Sequence, residues 1–197
     1  MPSKTRLRFQ PDDRLAFFQG FLTRPRQVGS IIPSSRFLER RITRAAALDE
    51  AGLVVELGPG TGGTTRALLR AMRPDARLLS IEINPDFVGV LERIGDPRLT
   101  VHCGSATELT RILTHHGLPA PDTILSGIPF STMKRPLGRD ILRAVHDVLE
   151  PGGLFVAYQV RDRVESLGRE VFGRASVQTE LLNMPPMRVY RWEKRAS

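Results

Sequence analysis

The run Val54-Val55-Glu56-Leu57-Gly58-Pro59-Gly60-Thr61-Gly62-Gly63 constrains this chain more than any other segment. Its first half suits a strand buried in a parallel sheet. Its second half suits a tight turn that brings bare backbone against a ligand at the start of a helix. The pairing predicts an α/β fold with a small molecule held after the first strand. Gly58, Gly60 and Gly63 also fit the G-x-G-x-x-G spacing of nicotinamide and flavin enzymes, and a purely structural turn satisfies it too. The loop alone leaves the ligand open.

Two carboxylates narrow the choice. Glu56 lies in the strand just before the first glycine, where a negative charge opposes a pyrophosphate and favours a cation with its ammonium group. Glu82, at the end of the next predicted strand, is placed to accept hydrogen bonds from ribose hydroxyls. Its alternative reading is an exposed strand-end acid.

Downstream, apolar runs alternate with amphipathic stretches. Strands are expected at 53–57, 77–83, 99–103, 123–127 and 154–160, with helices at 61–72, 85–94, 106–113 and 139–149. Glu150-Pro151-Gly152-Gly153 stops the last of these. Residues 176–182 and 187–192, joined through Asn183-Met184-Pro185-Pro186, read as an antiparallel hairpin.

The first fifty residues differ. Lys4 to Arg26 are rich in Lys and Arg, and Asp12 to Leu22 read as a short helix with Leu15, Phe18, Phe21 and Leu22 near one face. The chain of 197 residues carries 29 Lys and Arg against 21 Asp and Glu, a net charge of +8. That excess attracts polyanions, and both nucleic acid and an anionic membrane surface qualify. A single cysteine, Cys103, supports neither a disulfide framework nor a zinc cluster, and in a predicted strand it reads as a buried small hydrophobe. His115-His116 has no carboxylate at metal-ligand spacing. With no spanning segment or signal peptide in view, a cytoplasmic location is expected.

Glu56, the Gly58 to Gly63 loop, Glu82 and the terminal hairpin together resemble the class I methyltransferase superfamily. The resemblance implies a Rossmann-like, seven-stranded, mostly parallel sheet ending in an antiparallel hairpin, with helices on both faces. It implies S-adenosyl-L-methionine as cofactor, leaving S-adenosyl-L-homocysteine. Glu56, Gly58, Gly60, Thr61, Gly62, Glu82, Ile83, Ser105 and Ala106 are the cofactor candidates. The acid often found near Ser105 in such enzymes is absent. Ser30 is a further cofactor candidate, with helix capping as the rival role for the nearby Ser34 or Ser35.

The fourth predicted strand ends Ser126-Gly127-Ile128-Pro129-Phe130. Amino-group methyltransferases of nucleobases often carry Asn/Asp-Pro-Pro-Tyr/Phe there, and only Pro129 and Phe130 keep that register. With Gln27 to Ser35 and Asn183-Met184-Pro185-Pro186, the chain resembles soluble bacterial phosphatidylethanolamine N-methyltransferases, which are themselves similar to ribosomal RNA adenine dimethylases. That resemblance implies successive methylation of a phospholipid amine toward phosphatidylcholine at an anionic membrane surface, peripheral on its inner face, with no protein partner. It divides the chain into a membrane-docking, substrate-capping helical segment (1–50) and a methyltransferase domain (51–197).

The substrate candidates follow. Ser126 and the carbonyls of Gly127 and Ile128 accept from an amine. Phe130, Tyr158, Tyr190 and Trp192 are candidate faces for a methylated cation, Tyr158 first. Lys134, Arg135 and Arg161 are candidates for the lipid phosphate, or solvated loop charges. Arg8, Arg14, Phe18, Phe21 and Leu22 would meet the membrane, or pack the helix on the domain. The competing class is a nucleic-acid adenine N-methyltransferase. A non-catalytic cofactor- or membrane-binding module would need the glycine loop without an acceptor pocket.

Overall fold

In the computed structural model, which describes residues 35–195, every side chain of the strand preceding the glycine loop is buried. Leu53, Val55 and Leu57 enter one apolar layer with Ile124, Phe155 and Leu142, while Val54 enters the opposite layer with Leu38, Leu68, Leu78 and Val156. Burial on both faces is what an unbroken apolar run selects for, and it places this strand at the centre of the sheet.

The described residues form one seven-stranded sheet of order β3-β2-β1-β4-β5-β7-β6. Its strands are β1 (Leu53–Leu57), β2 (Arg77–Glu82), β3 (Leu99–Cys103), β4 (Thr123–Ser126), β5 (Leu154–Gln159), β6 (Ser176–Glu180) and β7 (Met187–Glu193). The first five are parallel, β7 runs antiparallel to β5, and β6 antiparallel to β7. The order reverses between β1 and β4, which opens a crevice at the carboxyl ends of the parallel strands. Because β7 runs the other way, pairing Arg188 with Gln159, the β6–β7 turn stands on that same rim.

The helices are α1 (Arg36–Ala45), α2 (Gly63–Ala71), α3 (Pro85–Glu92), α4 (Leu109–His115), α5 (Arg135–Val148) and α6 (Arg163–Val171). Ser35 caps α1, its hydroxyl accepting the Leu38 N–H at 3.2 Å, a contact of about 1 kcal/mol. The Ser35 N–H donates to Asn183 Oδ1 at 3.0 Å, and past the far end of the helix the Thr123 hydroxyl donates to the Ala46 carbonyl. The helix therefore runs along the sheet from the rim to the amino end of β4, burying Leu38 and Ile42 in the core shared with β1.

Several boundaries differ from expectation. The helix expected at 106–113 is a single 3-10 turn (Ala106–Glu108) followed by α4, and α5 starts at Arg135 with Pro136 in its first turn. Helix α6 is not among the expected elements, although Val164 and Leu167 bury at helical spacing. The strand expected at 176–182 ends at Glu180, where Leu181 and Leu182 leave the sheet for the turn.

Candidate active site

The crevice is closed at its centre by backbone. Gly58 donates its N–H to the Ile81 carbonyl at 3.0 Å, and Gly127 donates to the Leu57 carbonyl at 2.9 Å, so the loops after β1 and β4 are extensions of the sheet. Gly58, Gly60 and Gly62 all have positive φ, between 57° and 82°, where side chains are strained. A Cβ on Gly60 would meet no described atom within 4 Å, so this backbone lies open to a ligand. Thr61 is exposed beside it, and Gly62 leads into α2, whose first N–H groups have no side-chain cap.

Glu56 points from β1 into the layer beneath α2 and is 1% exposed. Its Oε2 accepts the Thr65 hydroxyl at 2.7 Å and the Ser80 hydroxyl at 2.8 Å, whereas its Oε1 has no partner among the described residues. Burial, reinforced by the nearby Glu82 charge and opposed by the two hydroxyls, pushes this carboxyl up to about 7. A buried acceptor with one orphaned oxygen suits a cationic donor such as an ammonium group. Thr65 and Ser80 are not among the residues expected at the site. Ser80 carries a signal in retrospect, being the hydroxyl in the apolar run Leu78 to Ile81.

Glu82 is 1% exposed, so it is not a free strand-end acid. Its Oε1 accepts the Asn84 N–H at 2.9 Å and its Oε2 the Gly60 N–H at 3.0 Å. Burial raises its pKa and the backbone donors pull it back. Each oxygen keeps acceptor capacity for a hydroxyl. Ile83 follows, half-buried, and across β3 Ser105 caps the 3-10 turn with its hydroxyl on the Thr107 N–H, beside the buried Ala106.

On the β4 side, the Ser126 hydroxyl is sealed in the interior and accepts the Ile128 N–H at 3.3 Å. The Ile128 carbonyl accepts Gln159 Nε2 at 2.8 Å, a partner not foreseen from the sequence, and the Ile128 side chain packs on Gly58. Phe130 is 0% exposed and belongs to the core beside Gly138. The expectation that its ring faces an amine is therefore corrected: the short turn after Pro129 rolls it inward, where an aromatic ring gains most from burial. Tyr190 and Trp192 are core as well, stacked at 5.8 Å between centroids.

Tyr158 alone of the four aromatic candidates keeps accessible surface. Its hydroxyl donates to Thr64 Oγ1 at 3.2 Å, and a Cβ on Gly127 would come within 2.6 Å of it and 2.9 Å of the Gly58 carbonyl. Burial, and then the Glu56 charge, raise the Tyr158 pKa, keeping the phenol neutral. Glu56, Thr64, Thr65, Ser80 and Tyr158 thus form one polar group on the α2 side of the sheet.

Lys134, which precedes α5, and Arg161, which follows β5, are exposed. Arg135 is drawn off to Glu170 of α6. Cys103 is exposed on the edge strand β3, correcting its expected burial, because β3 has a neighbour on one side only. His102 of β3 joins His115 and His116, with His102 Nδ1 and His116 Nε2 3.0 Å apart, and burial with mutual repulsion lowers the pKa of both. Among the described residues no group of side chains is arranged to hold a metal ion. Ser30, Ser34, Arg8, Arg14, Phe18, Phe21 and Leu22 lie outside the described residues.

A family model described as a methyltransferase domain matches residues 54–153. The chain belongs to that methyltransferase family. This methyltransferase is 33% identical over 181 residues to the ornithine lipid N-methyltransferase of Singulisphaera acidiphila, covering 90% of this chain and 94% of that one. It is 30% identical over 145 residues to ribosomal RNA small subunit methyltransferase A of Phenylobacterium zucineum, covering 71% of this chain and 48% of the relative. Among solved structures, the 1,6-didemethyltoxoflavin-N1-methyltransferase of Burkholderia thailandensis superposes with a TM-score of 0.69 at 16% identity, covering 99% of this chain and 94% of that one. The N-methyltransferase NodS of Bradyrhizobium japonicum gives 0.67 at 15% identity, with 83% and 98% covered. These two likenesses concern the Rossmann-like methyltransferase fold.

Proposed function

We propose that this methyltransferase transfers methyl groups from S-adenosyl-L-methionine to the amine headgroup of a membrane lipid, phosphatidylethanolamine and its mono- and dimethylated forms, toward phosphatidylcholine. The observation that carries the choice of a lipid over a nucleic acid is the burial of Phe130. A flipped base is held by stacking between aromatic or apolar side chains, and the ring that follows β4 here is inside the core rather than facing the crevice. The likeness to an ornithine lipid N-methyltransferase over 90% of the chain supports the same reading and makes ornithine lipid the alternative acceptor.

The residues present fit the cofactor. The orphaned Glu56 Oε1 is an acceptor for its ammonium, Glu82 for its ribose hydroxyls, and the open backbone of Gly58 to Gly62 for close approach. Ile83, Ser105 and Ala106 would flank its base. When bound, the cofactor supplies an electrophilic methyl group on a sulfonium.

The chain's own task is to present the amine. It must attack as the free base, and a site that buries it beside positive charge lowers its pKa, so no dedicated general base is required. Gln159 fixes the Ile128 carbonyl, and through it the loop whose Gly127 carbonyl accepts an amine N–H. The Tyr158 ring offers the face for the methylated nitrogen. Lys134 and Arg161 stand as exposed cations for the lipid phosphate, and the basic segment bearing Phe18 and Phe21 would rest on the membrane.

The test is methyl transfer from labelled S-adenosylmethionine to vesicles containing phosphatidylethanolamine, vesicles containing ornithine lipid, and unmodified ribosomal RNA, each alone. Label in phosphatidylethanolamine supports the proposal. Label in ornithine lipid alone reassigns the acceptor, and label in RNA alone overturns the lipid reading.

A further inference from the structure

The β6–β7 turn has its polarity reversed. Glu180 and Asn183 are 5% and 4% exposed, while Leu181, Leu182 and Met184 are 73%, 65% and 85% exposed. Water selects the opposite arrangement. The polar side chains are spent on holding the turn rigid. Glu180 takes Arg41 Nε at 2.9 Å and the Leu182 N–H at 2.9 Å, and Asn183 bridges the Ser35 N–H to the Pro185 carbonyl. A fixed platform thus presents three apolar side chains outward.

Its position is as telling as its composition. The turn stands on the rim where β1, β4 and β5 end, and the Ser35–Asn183 bond brings the start of α1, with the exposed Phe37, against it. Arg36, whose guanidinium lies 5.1 Å from the Phe37 ring centre, Arg161 and Arg188 are exposed on the same rim, with Asp162 the acid among them, 3.8 Å from Arg188. An apolar wedge within a mainly basic collar is complementary to an anionic bilayer, whose headgroups meet the arginines while its acyl region takes the wedge.

We propose that Leu181, Leu182 and Met184 insert into an anionic phospholipid bilayer and seat the active-site rim on the membrane surface. The proposal rests on the lipid-amine reading, extends it to a surface in the folded domain, and is separate from the basic segment at residues 4–26. The turn orients the crevice toward headgroups in the plane of the bilayer, so that a lipid amine enters while its tails stay in the membrane.

The experiment uses the full chain with Cys103→Ser and Met184→Cys, an environment-sensitive fluorophore on residue 184, and vesicles of phosphatidylethanolamine with phosphatidylglycerol. The emission is expected to shift to the blue on vesicle addition, with a response that weakens as salt rises. In parallel, Leu181→Gln with Leu182→Gln and Met184→Gln is expected to weaken vesicle partition at least tenfold with S-adenosylhomocysteine affinity kept within twofold. Emission that does not move with vesicles overturns the proposal. So does emission already blue and unresponsive without them, which means that another segment or a second copy covers the turn. Vesicle insertion without methyl transfer to any lipid amine supports the docking surface and overturns the substrate reading. Methyl transfer to lipid with the turn left in water overturns the docking surface alone.

Discussion

The Glu82 carboxylate accepts the Gly60 N–H at 3.0 Å, fastening the acid that ends β2 to the glycine loop that follows β1. This bond presents loop and acid to the cofactor as one unit. Glu82→Gln keeps the shape but removes the charge and turns a donor toward a donor. Loss of a charged hydrogen bond costs about 1.5–3 kcal/mol. S-adenosylhomocysteine binding measured by calorimetry is expected to weaken at least about tenfold, and affinity within twofold of the parent would refute the role.

Glu56 makes cofactor binding depend on pH. With its carboxyl pushed up to about 7 in the free protein, the ionised form that pairs with an ammonium grows from about a tenth at pH 6 to about nine tenths at pH 8. S-adenosylhomocysteine affinity is therefore expected to rise up to about tenfold over that interval, and to stay flat in Glu56→Gln. For stability the sign is opposite. The folded state holds a proton that the unfolded state has released, so the Glu56 contribution is complete below about pH 4.5 and is lost as pH rises to about 7. Chemical denaturation of the free protein across that window should show a decline that Glu56→Gln removes.

Gly127 is a packing requirement at the crevice. A Cβ there meets the Tyr158 hydroxyl at 2.6 Å and the Gly58 carbonyl at 2.9 Å, and the second of these is backbone that cannot swing away. Gly127→Ala is expected to lower stability by about 1–3 kcal/mol, read as a drop in Tm, and to weaken cofactor binding through displacement of the Gly58 turn. An unchanged Tm would show that the two loops are not packed as described.

Tyr158 separates ring from hydroxyl. If the ring faces the methylated nitrogen, Tyr158→Phe keeps most activity and Tyr158→Leu loses about 1–2 kcal/mol of cation–π attraction, a roughly five- to thirtyfold fall in kcat/KM for the dimethylated acceptor. Equal losses in both variants would assign the function to the hydroxyl bonded to Thr64.

What was legible in the sequence was local. The β1 run, its glycine loop, and the turn residues that stop α5 and start the hairpin carry their signals within about ten residues, and the five parallel strands fall where alternation puts them. The hidden part of the site is held by long-range bonds. Thr65 and Ser80 on Glu56, Gln159 on the Ile128 carbonyl, and Asn183 on Ser35 join residues 9, 24, 31 and 148 positions apart. Of these only Ser80, the lone hydroxyl within the apolar run Leu78 to Ile81, carries a local mark. The fate of Phe130 turned on one short turn after Pro129, and that of Cys103 on the place of β3 at the edge, which is a matter of strand order.

The most direct measurement is tandem mass spectrometry of lipids after the purified protein acts on phosphatidylethanolamine vesicles with S-adenosylmethionine. Mono-, di- and trimethylated headgroups with unaltered acyl chains are expected, formed in that order. Untouched lipid alongside methylated adenine in RNA incubated in parallel would contradict it.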